Sequence, residues 1–230
     1  MSLFAIGDTH LSFGCDKPMD IFHRWHNHIE RLEKNWRAVV TDNDTVVIPG
    51  DISWAMSMED AVPDFKFLDS LPGHKLIMKG NHDYWWSTMN KLVKCFEQEG
   101  ITTIEMVFNN AFRVGDFCVC GTRGWFYDAH GEADMKVLMR EVGRLKMSIN
   151  VARALGGEPL VFLHYPPLTH EAVCEEIVNT LHEEGIKRCW YGHLHSESAD
   201  YAFTGERDGI KYGLVSCDYL DFCPKLLEKF

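Results

Sequence analysis

With 230 residues, 46% of them hydrophobic, the chain is long enough for one globular domain spanning 1–230 with a sizeable core. No run approaches the roughly 20 apolar residues of a membrane span. Acidic residues outnumber basic ones 34 to 23, and the formal charge of −11 argues against a nucleic-acid partner or an anionic membrane surface.

A small phosphorylated substrate stays compatible with that charge, because bound divalent cations would dominate the local field. The segment Met1 to Asp8 has neither a basic n-region nor a long apolar h-region, so it reads as a first strand rather than a signal peptide. The eight cysteines contain no Cys-x-x-Cys pair and read as buried free thiols of a cytoplasmic protein.

In chain order, Leu3 to Gly7 reads as a buried strand, followed by a loop through Gly14 and Pro18. A helix is expected from about Ile21 to Val40, carrying Trp25, Ile29, Leu32 and Trp36 at helical spacing. Thr45 to Ile48 is a β-branched strand. Ser57 is placed to cap the next helix, with Glu59 and Asp60 at its positive dipole end. Lys75 to Met78 gives a third strand, and Ser87 is the expected cap of a third helix.

The middle of the chain turns antiparallel. Phe112 to Val119 reads as a hairpin turning at Gly115-Asp116. A helix is expected over Glu132 to Leu155, a strand over Leu160 to Leu163, a helix over Thr169 to Glu184 and a strand over Lys187 to Tyr191. Ala199 to Phe203 and Ile210 to Val215 read as a hairpin around Gly205 to Gly209, with the last residues as a packed tail. Mixed sheets with helices outside them are the expected architecture.

The chemistry sits where these strands end. Five of them stop abruptly in short polar clusters: Gly7-Asp8-Thr9-His10, Gly50-Asp51-Ile52-Ser53-Trp54, Gly80-Asn81-His82-Asp83, His164-Tyr165-Pro166-Pro167 and Gly192-His193-Leu194-His195. In an open α/β sheet, sites form outside the carboxyl ends of the strands, so parallel strands would bring all five to one edge. Carboxylate, imidazole and amide oxygen are metal donors, and any one cluster alone would be an ordinary turn or a structural histidine.

The five blocks, in this order, resemble the calcineurin-like metallophosphoesterase superfamily, and more narrowly bacterial predicted phosphohydrolases within it. The pattern is Asp-x-His, Gly-Asp, Gly-Asn-His-Asp/Glu, an isolated His, then Gly-His-x-His, matched from Asp8 to His195. The resemblance implies a four-layer αββα sandwich of two mixed β-sheets flanked by helices. It implies a dinuclear centre in which Asp8, His10 and His195 bind one metal, Asn81, His164 and His193 the other, and Asp51 bridges both.

Two such cations would hold a bridging hydroxide for in-line attack on a phosphate ester, phosphodiester or small-molecule monoester. His82 is then the proton donor to the leaving group, and Asp83 the carboxylate that orients it. The donor set suits manganese, iron, zinc or cobalt and disfavours calcium; the resemblance puts manganese or iron first. Trp54 is a candidate pocket wall, alongside Trp85 and Trp86. Arg123 is either a phosphate-gripping cation or half of a structural ion pair. His23, His26 and His28 read as a helix face rather than a second metal site.

Asp51 is followed by Ile52-Ser53-Trp54, not by the Asp-Arg-Gly of the superfamily's protein phosphatases, which points away from phosphoprotein substrates. A catalytically silent metal-binding scaffold of the same fold is the alternative to the enzyme. It would predict losses among the ligands or at His82, and the sequence has none.

Overall fold

The structure is a computed structural model that describes residues 1–125 and 131–230. Parallel strands β1 (Ser2–Ala5), β2 (Thr45–Ile48), β3 (His74–Ile77) and β4 (Ile104–Met106) lie side by side in sequence order. Between them run α1 (His28–Val39), α2 (Met58–Ser70) and α3 (Met89–Glu99). Each crossover steps in the same direction across the sheet, so right-handed connections put all three helices on one face. The side chains alternate accordingly. Phe4, Val46, Ile48 and Ile77 join Leu32 and Trp36 of α1, Phe65 and Leu68 of α2, and Leu92 and Phe96 of α3 in one core.

Among the described residues the second sheet has six strands. They are β5 (Ala111–Val114), β6 (Phe117–Thr122), β7 (Glu158–Leu163), β8 (Arg188–Tyr191), β9 (Gly205–Arg207) and β10 (Ile210–Leu214), in the order β5-β6-β7-β8-β10-β9. Strands β6, β7, β8 and β10 run parallel, with β5 and β9 as antiparallel edges. Helices α4 (Glu132–Ala154) and α5 (Glu175–Glu183) cover its outer face, packing Leu145, Ile149 and Leu181 on Cys118, Cys120, Val161 and Tyr191.

The inner faces of the two sheets meet through Leu3, Ala5, Val47, Leu76 and Met78 on one side and Val119, Leu160, Phe162 and Trp190 on the other. This is the expected αββα sandwich of two mixed sheets. Full burial of each such aliphatic or aromatic side chain contributes about 1.5–3 kcal/mol. All eight cysteines are free thiols, and Cys118 and Cys120 share the helix-covered face.

Several boundaries differ from the sequence expectation, each for a local reason. The first helix begins at His28, not near Ile21, because Asn27 is left-handed at φ 51° and its amide is held by the Asp20 carboxylate at 2.9 Å. The segment this releases drops Trp25 wholly into the interior. Helix α3 starts one residue later than expected, after Thr88 rather than Ser87. Helix α5 starts at Glu175, since Thr169 bonds back to the amides of Glu171 and Ala172 in its own turn.

The late hairpin pairs Gly205–Arg207 with Ile210–Leu214, while Ala199 lies in a short 3-10 turn. Its two-residue loop, Asp208-Gly209, has both φ angles positive (52° and 78°), the primed turn that matches strand twist. The expected tail is a strand, β11 (Lys225–Lys229), antiparallel to β1 at the edge of the first sheet. No helix among the described residues is long and apolar enough to cross a membrane.

Candidate metal centre

The carboxyl ends of the parallel strands from both sheets meet at one end of the sandwich. The amide of Gly7, after β1, donates to the carbonyl of Val215, after β10, at 2.6 Å. The amide of His193, after β8, donates to both oxygens of Asp8 at 2.9 and 3.0 Å. Residues far apart in sequence therefore close on one another through strand-end loops.

Two donor groups form there and share one residue. Asp8, His10 and Asp51 place a ligand atom each within 4.8 Å of one another, and Asp51, His164 and His193 do the same. Asp51 faces them with different oxygens: Oδ2 lies 3.9 Å from Nε2 of His10, and Oδ1 lies 3.5 Å from Nε2 of His164. Asn81 belongs to the second group, its Oδ1 being 2.6 Å from His164 Nε2 and 2.9 Å from His193 Nδ1. His195 stands outside both triads but meets the His10 ring edge-on at 5.2 Å. The structure thus brings together all seven residues singled out as metal donors.

The electrostatics fit cations. Burial, then the charge of Asp51, pushes Asp8 well above the ordinary carboxylate range. Burial likewise raises Asp51 to about 6 and depresses His10, His193 and His195, and it takes His164 to about 3, leaving these imidazoles neutral with lone pairs to offer. His164 shows the consequence most clearly. Its Nδ1 is 3.1 Å from the carbonyl of Pro49, which can only accept, so the single ring proton sits there. Nε2 then turns a lone pair towards the oxygens of Asn81 and Asp51, a convergence of acceptors that a cation would satisfy. Nδ1 and Nε2 of His10, Oδ2 of Asp51 and Nδ1 of His195 are buried without a hydrogen-bond partner among the described residues. Orphaned polar atoms in such number are costly unless something binds them.

Local backbone is bent to make this arrangement. Asp8, His10, Asp51 and His193 all lie in the left-handed region, with φ of 54°, 45°, 50° and 70°. Non-glycine residues held there store strain that concentrates at functional sites. Neighbouring glycines admit the ligands. A Cβ on Gly192 would stand 2.6 Å from Asp8 Oδ2, and one on Gly80 would collide with the Asp51 carboxylate and amide.

His82 lies beside the triads. Its ring is 5.8 Å from that of His10 and 4.5 Å from Trp54, and its Nδ1 is buried without a hydrogen-bond partner among the described residues. Trp54 stacks on His10 at 4.6 Å and is half-buried, with Nζ of Lys17 above it at 5.0 Å. Trp85 is core, and Trp86 packs against the same cluster.

The orienting role expected of Asp83 is corrected. Its carboxylate does not bond the His82 ring; it accepts the amides of Asp51 (2.9 Å), Ile52 (2.9 Å), Ser53 (3.3 Å) and Gly80 (2.7 Å) and the indole of Trp85 (3.1 Å). Asp83 is therefore the clamp joining the Asp51 loop to the Gly80 turn.

Arg123 makes no ion pair among the described residues, and its guanidinium lies over Trp125 at 4.9 Å. Its carbonyl accepts the amides of His164 (3.1 Å) and Tyr165 (2.9 Å), which puts it at the rim of the centre. His23, His26 and His28 do not converge: His28 is buried on Trp25 and His26 is exposed.

Other contributors escaped the sequence reading. Trp25 packs edge-on to His10 and His195, Asp218 accepts the amide of Ser196 beside His195, and the Pro49 carbonyl sets the His164 tautomer. Phe22, His23 and Arg24, at the start of the helix expected from Ile21 and so where an entrance lining is expected, line a cavity of about 590 Å³ with His195. None of these carries a motif of its own; only the fold brings them in.

Comparison with known proteins agrees with this geometry. No curated protein sequence matches the chain. Among solved structures, a phosphopantetheinyl hydrolase from Mycobacterium tuberculosis is similar at 14% identity and TM-score 0.54, covering 98% of this chain and 95% of that one. A protein of unknown function from Aquifex aeolicus is similar at 15% identity and TM-score 0.53 with the same coverage. A Thermus thermophilus protein gives 12% identity and TM-score 0.57, covering 98% and 97%. At these identities the likeness is one of fold. Residues 1–197 match the family model described as calcineurin-like phosphoesterase, a span that holds every donor gathered at the strand ends. The chain therefore belongs to the calcineurin-like phosphoesterase family.

Proposed function

We propose that the protein is a metal-dependent phosphoesterase that hydrolyses a phosphate ester of a small molecule at a dinuclear centre held by Asp8, His10, Asp51, Asn81, His164, His193 and His195. The observation that carries this is Asp51, a buried carboxylate that turns one oxygen to His10 and the other to His164. Two bound cations would supply an activated water and neutralise charge on the phosphoryl oxygens. Manganese or iron suits the mixed oxygen and nitrogen donors, with zinc and cobalt as further candidates.

The chain's own residues do the rest. Asp83 fixes the loop bearing Asp51. The Pro49 carbonyl holds the proton of His164 on Nδ1 and keeps Nε2 free to bind. His82 donates a proton to the leaving oxygen, its ring held between Trp54 and Tyr84. The 590 Å³ cavity beside His195, with Phe22 in its lining, gives the substrate access to the centre.

The test pairs two variants on metal-stripped protein reloaded with Mn²⁺, Fe²⁺, Zn²⁺ or Mg²⁺. Substrates are p-nitrophenyl phosphate, bis-p-nitrophenyl phosphate and, because one neighbour is named for it, a phosphopantetheinyl ester. Asp51→Ala is expected to lose metal and activity together. His82→Ala is expected to keep both metals and lose about 10²–10⁴ in kcat on a poor leaving group. Full activity of His82→Ala on an alkyl phosphate removes the proton-donor role. Absence of hydrolysis with any metal, despite two ions bound per chain, favours the silent scaffold.

A further inference from the structure

Beside the centre, on the side of Asn81 and His164, lies a cavity of about 270 Å³ whose lining includes Lys79, Arg123, Arg140 and Arg144 and one acid, Glu141. On a chain of net charge −11, four cations converging on one concavity is a marked inversion of the average surface. Glu141 does not balance them. It is fully buried, and its two oxygens are occupied by Arg144 at 2.6 Å and by the Thr122 hydroxyl at 2.5 Å.

Lys79, Arg123 and Arg140 are left without an ion-pair partner among the described residues. Guanidinium groups are suited to planar, bidentate recognition of phosphate oxygens, with lysine as a point charge.

The cavity is tied to the centre by the backbone. Lys79 directly precedes the Gly80-Asn81 turn, and the carbonyl of Arg123 receives the amide of His164 at 3.1 Å.

We propose that this basic cavity binds a second phosphoryl group, so that the preferred substrate is a small molecule bearing two phosphates, one cleaved at the metal centre and the other anchored by Lys79, Arg123, Arg140 and Arg144. The assignment rests on the phosphoesterase reading for which phosphate is cleaved, but the anion site itself does not need turnover to be seen.

The test is calorimetric titration of the Mn²⁺-loaded protein with inorganic phosphate and with a series of α,ω-alkane bisphosphonates of two to eight methylenes, alongside hydrolysis of p-nitrophenyl phosphate. Two phosphates are expected per chain, one lost on stripping the metal and the other lost in Lys79→Gln/Arg140→Gln. One bisphosphonate length is expected to bind at least about tenfold more tightly than an alkyl monophosphonate by bridging both sites, a gain abolished in the double variant. A single phosphate, lost with the metal and indifferent to the double variant, overturns the proposal. Two phosphates with no gain at any length assign the cavity to a free anion and overturn the two-phosphate substrate. Failure to hydrolyse p-nitrophenyl phosphate while two phosphates bind strikes the phosphoesterase reading instead.

Discussion

Asp83 shows how a residue inside a catalytic-looking motif can serve the backbone instead. Four amides and one indole converge on its carboxylate, and burial followed by the charge of Asp51 raises it to about 7. Asp83→Asn, which replaces one acceptor oxygen with a donor facing amides, is expected to weaken metal affinity about 10–100-fold. Metal titration would show it, and the loss in kcat at saturating metal should be far smaller than that of His82→Ala. A variant that keeps metal affinity but loses the acid limb of the pH profile would return Asp83 to the role of orienting His82.

Asp64 is a second buried carboxylate, behind the same loop. It accepts the hydroxyl of Ser53 and the amide of Phe13 at 2.7 Å, while burial pushes it from the ordinary 3.8 to about 6. The folded chain thus holds this proton more tightly than the unfolded one. Its contribution to stability is complete below about pH 4 and fades as pH rises through about 6. Urea unfolding of the metal-loaded protein should show that decline relative to Asp64→Asn, and parallel pH curves for the two proteins would contradict it.

At the scale of elements, α2 is the clearest case of local chemistry deciding a boundary. Ser57 accepts the amide of Asp60 at 3.1 Å, as its position before the apolar pattern requires. Ser57→Ala should cost about 1 kcal/mol in chemical denaturation and leave turnover unchanged. Where such a cap or an alternating strand existed, the sequence was legible: Thr45 to Ile48 is β2 to the residue, and the Gly115-Asp116 turn joins β5 to β6. The strand-end clusters could be read because the donor types are rare together and lie in order.

Illegible were features decided by distant partners. Trp25 kept helical spacing with Leu32 and Trp36, yet its place against His10 and Phe222 took the chain out of the helix. β11 lacked strict alternation and became a strand by pairing with β1. The turn at Asp208-Gly209 falls inside the expected Gly205 to Gly209 region, but the strand before it is the polar Gly205–Arg207 and not the more apolar Ala199 to Phe203. The clamping role of Asp83 was not legible, since four of its five partners are backbone amides, which no sequence motif marks.

For the whole molecule, the centre joins two sheets that otherwise meet through apolar side chains. Asp8 and Asp51 come from one sheet, His164 and His193 from the other, and the donors they bring together repel or crowd each other without a cation. Bound metal should therefore stabilise the assembly of the two sheets as well as the loops. At a metal concentration about a thousand times Kd, the linkage is about 4 kcal/mol, equivalent to roughly 8–16 °C in Tm for a chain of this size. Chelation followed by scanning calorimetry should lower Tm on that order. An unchanged Tm would mean that the sandwich and the centre are energetically independent.

The left-handed backbone at Asp8, His10, Asp51 and His193 carries one more implication, for anyone who would engineer this protein. Judged by conformational energy alone, glycine is the better residue at all four positions. A redesign guided by backbone strain alone would therefore be drawn to replace these four first, and would forfeit both the stabilisation expected from bound metal and the amide contacts that the Asp8 and Asp51 carboxylates accept. Directed improvement of this scaffold should hold these positions fixed and seek its gains in the helices on the outer faces.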